Sequence, residues 1–109
     1  MNADSVKVYK ALPLTGVFSE VHRVYSTRKL RISMGHIVNT SGAAVTVSIC
    51  FVKPGDPVSV ANSILWNYSI PGEDFIEFGE GFWLPPNYQI MAAASADNVV
   101  NVVFSGEEE

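Results

Sequence analysis

The stretch Leu30–Val52, LRISMGHIVNTSGAAVTVSICFV, decides the fold. Leu30, Ile32 and Met34 fall at every second position before a polar break, and Val45, Val47, Ile49 and Phe51 do so after it. A period of two places each set on one face of a β-strand. The break, Asn39-Thr40-Ser41-Gly42, holds residues that tolerate positive φ, so the chain can reverse there. The pattern predicts a β-hairpin.

Working outward toward the N-terminus, Val17–Tyr25 (VFSEVHRVY) is rich in β-branched and aromatic residues and predicts a strand, with Ser26-Thr27-Arg28 as its turn. Asn2–Leu12 alternates Val6 and Val8 against Lys7 and Tyr9 until Pro13 ends it. Residues 1–14 therefore read as an edge strand, or as an arm that reaches a neighbouring subunit. Leu12-Pro13-Leu14-Thr15-Gly16 matches the sortase pattern LPxTG, but no apolar span and basic tail follow it. It reads as a punctuated lead-in to the first main strand.

Toward the C-terminus, Lys53-Pro54-Gly55-Asp56-Pro57 must be a loop. Ile64–Ile70 alternates again, which predicts Ile64, Trp66, Tyr68 and Ile70 on one face, mostly in the core. Asp74–Phe78 is a short strand, broken by Gly79-Glu80-Gly81. Phe82-Trp83-Leu84 reads as an apolar loop between glycines and prolines. Tyr88–Ala94 and Val99–Phe104 read as a second hairpin around Ala96-Asp97-Asn98, and residues 107–109 as an acidic tail. Short strands with a turn signal roughly every ten residues, and no helical period, predict an all-β, single-domain antiparallel β-sandwich, jelly-roll-like, over residues 15–106.

Composition narrows the function. A chain of 109 residues with 48% hydrophobic content suits one domain with a core of its own. The single cysteine, Cys50, rules out an internal disulfide and is in keeping with a reducing cytoplasm. The opening MNADSVKVYK has no apolar signal core, and no apolar run reaches the ~20 residues of a membrane helix. A net charge of −4 argues against nucleic acid as a partner. The one basic cluster, Arg23, Arg28, Lys29 and Arg31, reads as a solvated face. With only 17% charged residues, much surface is left uncharged, as at a protein interface.

No residue pattern points to catalysis. His22, His36 and Cys50 lack paired metal-ligand spacing, and Cys50 sits in an apolar strand as a small buried hydrophobe. The densest carboxylates, Glu73, Asp74, Glu77 and Glu80, interleave with apolar residues like a half-exposed strand. The sequons at Asn39 and Asn67 lack a secretory signal. The expectation is a non-enzyme with no catalytic residue, metal or cofactor. The aromatics Trp66, Tyr68, Phe82, Trp83 and Tyr88 suit core packing, a subunit interface or a sugar platform. Phe82, Trp83 and Leu84, with Val6, Val8 and Tyr9 of the N-terminal segment, are the expected subunit interface.

One resemblance bears on function. It is carried by Ile37–Val47 (IVNTSGAAVTV), the Pro-Gly loop, Asn62-Ser63-Ile64-Leu65, Ser69-Ile70-Pro71-Gly72, Ala92–Ala96 and the valine-rich last strand. Over about residues 17–106 the chain resembles small virion proteins of tailed bacteriophages. It departs from them at Pro85-Pro86-Asn87-Tyr88, where they commonly carry a Gly-Asp turn. The resemblance implies a non-enzymatic structural protein, made in the host cytoplasm and built into the virion. Its role would be capsid decoration (cement) or a neck, tail or fibre accessory. Partners would be other virion subunits and further copies of itself, with no nucleic acid or membrane. The other reading is a carbohydrate-binding β-sandwich module, with aromatics as platform and a cation near Asp74 and Glu77.

Overall fold

The computed structural model describes residues 4–79 and 81–109. Nine strands run in order: β1 (Asp4–Ala11), β2 (Ser19–Arg23), β3 (Leu30–Asn39), β4 (Val45–Val52), β5 (Ser63–Ile70), β6 (Asp74–Phe78), β7 (Phe82–Leu84), β8 (Gln89–Ala94) and β9 (Val100–Glu108). A 3₁₀ turn, Val60–Asn62, precedes β5. One sheet has the order β1-β9-β3-β6, with β7 also on β3, and the other has β2-β8-β4-β5. All these pairings are antiparallel. β6 and β7 occupy successive stretches of one edge of β3, opposite Gly35–Asn39 and Leu30–Ile32. Taken as one interrupted strand, they leave two four-stranded layers whose strands alternate between sheets along the chain except at the β4–β5 pair, the jelly-roll arrangement.

Leu30–Val52 is an arch and not a hairpin. β3 lies in the five-stranded sheet and β4 in the four-stranded sheet, so the reversal carries the chain across the sandwich. Period two fixes which face of a strand is apolar but not where its partner lies. Crossing over sets Ile32 and Ile37 in the same buried core as Val45, Val47 and Ile49. Tyr88–Phe104 is corrected in the same way, since β8 and β9 also belong to opposite sheets. Among the described strands only β4 and β5 are both consecutive and paired with each other.

Bulges account for the other departures. β3 slips register between Ile32 and Met34 against β9, which turns Met34 outward and brings Gly35 to the inner face. The slip is compatible with glycine alone: a Cβ on Gly35 would run into the Phe78 ring, and one on Gly106 into the Arg31 carbonyl. β5 is bulged twice against β4, once between the partners of Val47 and Ile49 and once between those of Ile49 and Cys50. Each extra residue swaps faces. Of the four residues expected inside, only Ile70 is buried; Trp66 lies beyond the first bulge and is exposed, and Tyr68, still in phase with Ile70, is exposed because β5 is an edge strand.

The core between the sheets is closed by four phenylalanines. Phe51 of the four-stranded sheet meets Phe82 and Phe104 of the other at 5.4 and 6.3 Å between ring centroids, and Phe78 lies 5.7 Å from Phe104. Phe82-Trp83-Leu84, expected as a loop, is β7. Its partners are Ile32, Arg31 and Leu30, and three residues are too few to show a period. β1 is the edge-strand form of the N-terminal segment, in register with β9 from Asp4↔Glu108 to Ala11↔Asn101. Residues 2 and 3 of that segment lie outside the described residues. Glu107 and Glu108, read as tail, are the last residues of β9. The Glu109 N–H and carbonyl exchange hydrogen bonds with Lys29.

The arch is held by Asn39, whose side chain is fully buried at the end of β3. Its Nδ2 donates toward the carbonyls of Ala43 at 2.8 Å and of Ile70 and Pro71 at 3.1 Å. Its Oδ1 accepts the Ser41 N–H at 3.0 Å, an Asx turn. Replacing Asn39 by Ala leaves three carbonyls short of a donor where water has little access. Asn39→Ala is expected to cost about 3 kcal/mol in urea unfolding. The isosteric Asn39→Asp sets a carboxylate against those carbonyls, so its loss is expected to be larger at pH 7 than at pH 4, where a protonated carboxyl can still donate.

Candidate functional site

Alternation along each strand sorts the polar and apolar residues of the two outer faces. On the five-stranded sheet, register aligns outward residues in rows across the strands. Ala11, Asn101, Val38 and Phe75 form one row, and Tyr9, Val103, His36 and Glu77 the next. Lys7, Ser105 and Met34 follow, and Ser5, Glu107, Arg31 and Trp83 close the face. Tyr9, Phe75 and Trp83 are among the most exposed large apolar side chains, Trp83 at 52%. His36 stacks on Phe75 with 4.9 Å between centroids.

The six residues expected at a subunit interface divide by this alternation. Val6 and Val8 turn inward against the core, as do Phe82 and Leu84. Tyr9 and Trp83 remain outside, at opposite edges of one face. Lys29 holds its Nζ 4.8 Å from the centre of the Trp83 ring. A recess of about 440 Å³ opens there, lined by Lys29, Trp83, Leu84, Pro85 and Pro86. Phe75 belongs to the same face; its place in an alternating strand marked it only as half-exposed.

The outer face of the four-stranded sheet is covered over part of its length by the 53–62 connection. Cys50 and Val52 are buried beneath it, and the Cys50 Sγ lies 3.5 Å from the Ser59 carbonyl. Further along, the sheet presents only small residues, Thr46, Ser48, Ala93 and Ser95. Beside them is a cleft of about 290 Å³ walled by Thr15, Gly16 and Phe18 on one side and Trp66 and Asn67 on the other. Phe18 and Trp66 stack at 6.1 Å. The bulge that removes Trp66 from the core places it here and holds Asn67 at φ 50°. Asn67 donates its N–H to Ser48 Oγ at 2.9 Å. The Thr15 wall is tied down by its N–H and hydroxyl, which donate to Asp97 Oδ1 at 2.5 and 2.6 Å. Sequence reasoning missed this cleft, because the β5 bulges leave no mark on the apolar spacing.

The groups considered for chemistry are separated or already paired. His22 is hydrogen-bonded to Glu108 at 2.8 Å, bridging the two sheets, and His36 lies 3.5 Å from Glu77. Burial pushes the Cys50 thiol above its ordinary pKa, outweighing the Ser59 backbone contact. Asp74 Oδ1 accepts the Phe75 N–H. Asp74 and Glu77 belong to β6, in the sheet that also carries Trp83, whereas Trp66 and Tyr68 belong to the other sheet. Glu80 lies outside the described residues. Among the described residues no three His, Cys, Asp or Glu side chains group as a metal site. The basic cluster is matched residue by residue: Arg23 with Glu20, Arg28 with Asp4, Arg31 with Glu107, and Lys29 on Trp83.

Two outcomes follow from these environments. Cys50 is expected to resist an aromatic disulfide reagent in the native protein and to react stoichiometrically after unfolding. The Thr15 hydroxyl, and then its N–H, hold the Asp97 carboxyl below its ordinary pKa. A carboxyl lowered on folding contributes stability above its unfolded pKa of about 3.9, and that contribution is lost as pH falls through the folded value. The Thr15 amide resonance is expected to shift with Asp97 on acidification below about pH 4, and to stay fixed in Asp97→Asn.

Comparison of the chain with protein-family models, with curated proteins and with solved structures returns no match.

Proposed function

We propose that this chain is a non-enzymatic structural protein of a tailed-phage virion, acting as capsid decoration or as a neck, tail or fibre accessory. It would work by burying the outer face of its five-stranded sheet against neighbouring subunits. The observation that carries this reading is the line-up of Tyr9, Val38, Val103, Phe75 and Trp83 on one face. Scattered apolar residues are ordinary on a surface, but several gathered on one face of a sheet suit a docking face. Of the charges among them, Arg31 is paired with Glu107 within the chain, and His36 lies beside Glu77.

Size sets the mode of action. Four strands about 4.8 Å apart and about eight residues long at ~3.3 Å each cover roughly 500 Å². A standard interface buries about 800 Å² per partner. One such face is too small for tight one-to-one binding, but it suits repeated engagement on a symmetric particle, where avidity multiplies weak contacts. β1 adds a second element. β9 is its one sheet neighbour among the described strands, which leaves its other edge open to strand addition.

The double variant Tyr9→Ala/Trp83→Ala is expected to keep its circular dichroism spectrum and melting temperature. It should lose at least tenfold in co-sedimentation with parent-phage particles that lack the protein, and in self-association by sedimentation velocity. A folded double variant that assembles like the unchanged protein would sink the proposal.

A further inference from the structure

We propose that the cleft beside the stacked Phe18–Trp66 pair binds one neutral pyranose ring of a glycan. The cleft opens on the outer face of the four-stranded sheet, so this inference stands apart from the assembly role of the other sheet. Its volume, about 290 Å³, lies just below the range of pockets that take drug-sized ligands and suits a single six-membered ring.

The lining selects the chemistry. No Asp, Glu, Lys, Arg or His lines the cleft, so it offers no counter-charge to an ionic ligand. Trp66 is 40% exposed and supplies apolar ring surface at the wall. A pyranose presents C–H bonds on its faces and hydroxyls around its rim, matching an aromatic wall above a hydroxyl-bearing floor. Thr46 and Asn67 line the cleft, and among the described residues Thr46 Oγ1 and Asn67 Nδ2 make no side-chain hydrogen bond. An apolar side chain from a partner protein would cover these groups and leave them unsatisfied, at about 1–3 kcal/mol each. Sugar hydroxyls would pair with them.

The cleft is formed before any ligand arrives. Asn67 is held in the left-handed region by the β5 bulge, with its backbone N–H on Ser48 Oγ. Thr46 N–H donates to Ser95 Oγ at 2.9 Å, fixing the far end of the floor. The Gly16 N–H donates to the Ala94 carbonyl at 2.8 Å and anchors the opposite wall. Little ordering cost remains to be met on binding. A left-handed non-glycine residue beside a bulge is also the kind of local strain that concentrates at binding sites.

The test is an amide-resonance titration of the full chain with methyl β-galactoside, N-acetylglucosamine, maltotriose, cellotriose and xylotriose. At least one saccharide is expected to shift Ser48, Asn67, Ala93 and Ser95 together, with Kd on the order of millimolar. Trp66→Ala should weaken that binding at least tenfold. Asn67→Gly keeps the left-handed backbone while removing the amide, and should weaken it severalfold. Trp83→Ala should leave it unchanged, even where assembly is lost. The proposal is overturned if none of the five shifts these resonances at 50-fold above a millimolar concentration. It is equally overturned if Trp66→Ala binds as well as the unchanged protein. A proline-rich peptide that shifts the same resonances when no saccharide does would make the cleft a side-chain pocket instead.

Discussion

The buried amide of Asn39 is the constraint on which the sandwich depends. An arch must reverse the chain without a neighbouring strand to take up its backbone groups. One side chain meets that need by donating to carbonyls on both the 39–44 arch and the 70–71 corner. Those two corners belong to different strand connections, β3 to β4 and β5 to β6. Fastening them together sets the spacing of the sheets at that end. At the other end the equivalent clasp is a side-chain hydrogen bond: His22 of β2 meets Glu108 of β9. The phenylalanine cluster fills the space between the sheets, and the spacing it fills is held at both ends by polar contacts.

Bulges turn this frame into usable surface. A strictly alternating β5 would bury Trp66 and leave the four-stranded sheet with a plain outer face. The inserted residue between Tyr68 and Leu65 exposes Trp66 and Asn67 instead. The bulge in β3 has a different effect. It lets Gly35 and Gly106 bring backbone and rings close, so the five-stranded sheet keeps its outer residues in register over its full width. One sheet thus offers a broad apolar face and the other a small polar-floored cleft.

The all-β, jelly-roll-like architecture was legible in the chain, because period-two apolar runs and Pro/Gly/Asn punctuation report strands and turns directly. Partnership between strands was not legible. Leu30–Val52 reads identically as hairpin or arch, since the spacing of Ile32 and Val47 says nothing about which sheet each joins. Facing was legible only where register is unbroken. Tyr9 and Val8 divide between surface and core as alternation requires, whereas Met34 and Trp66 lie beyond bulges and exchange faces. Asn39 was visible as a turn residue, but its burial was not, because an exposed turn favours the same side chain. Trp83 stood out by composition alone, though as part of an apolar triplet of which two members face the core.

The strand order also governs how the molecule can form during synthesis. β1 and the long edge of β3 both pair with β9, the last of the described strands along the sequence. The centre of the five-stranded sheet therefore stays vacant until β9 is available, and its closure joins segments about a hundred residues apart. Among the described strands, β4 and β5 are the one sequential pair able to fold locally. Such a chain belongs with the slow, high-contact-order folders, and its apolar strands spend that interval unpaired and open to association with other nascent copies.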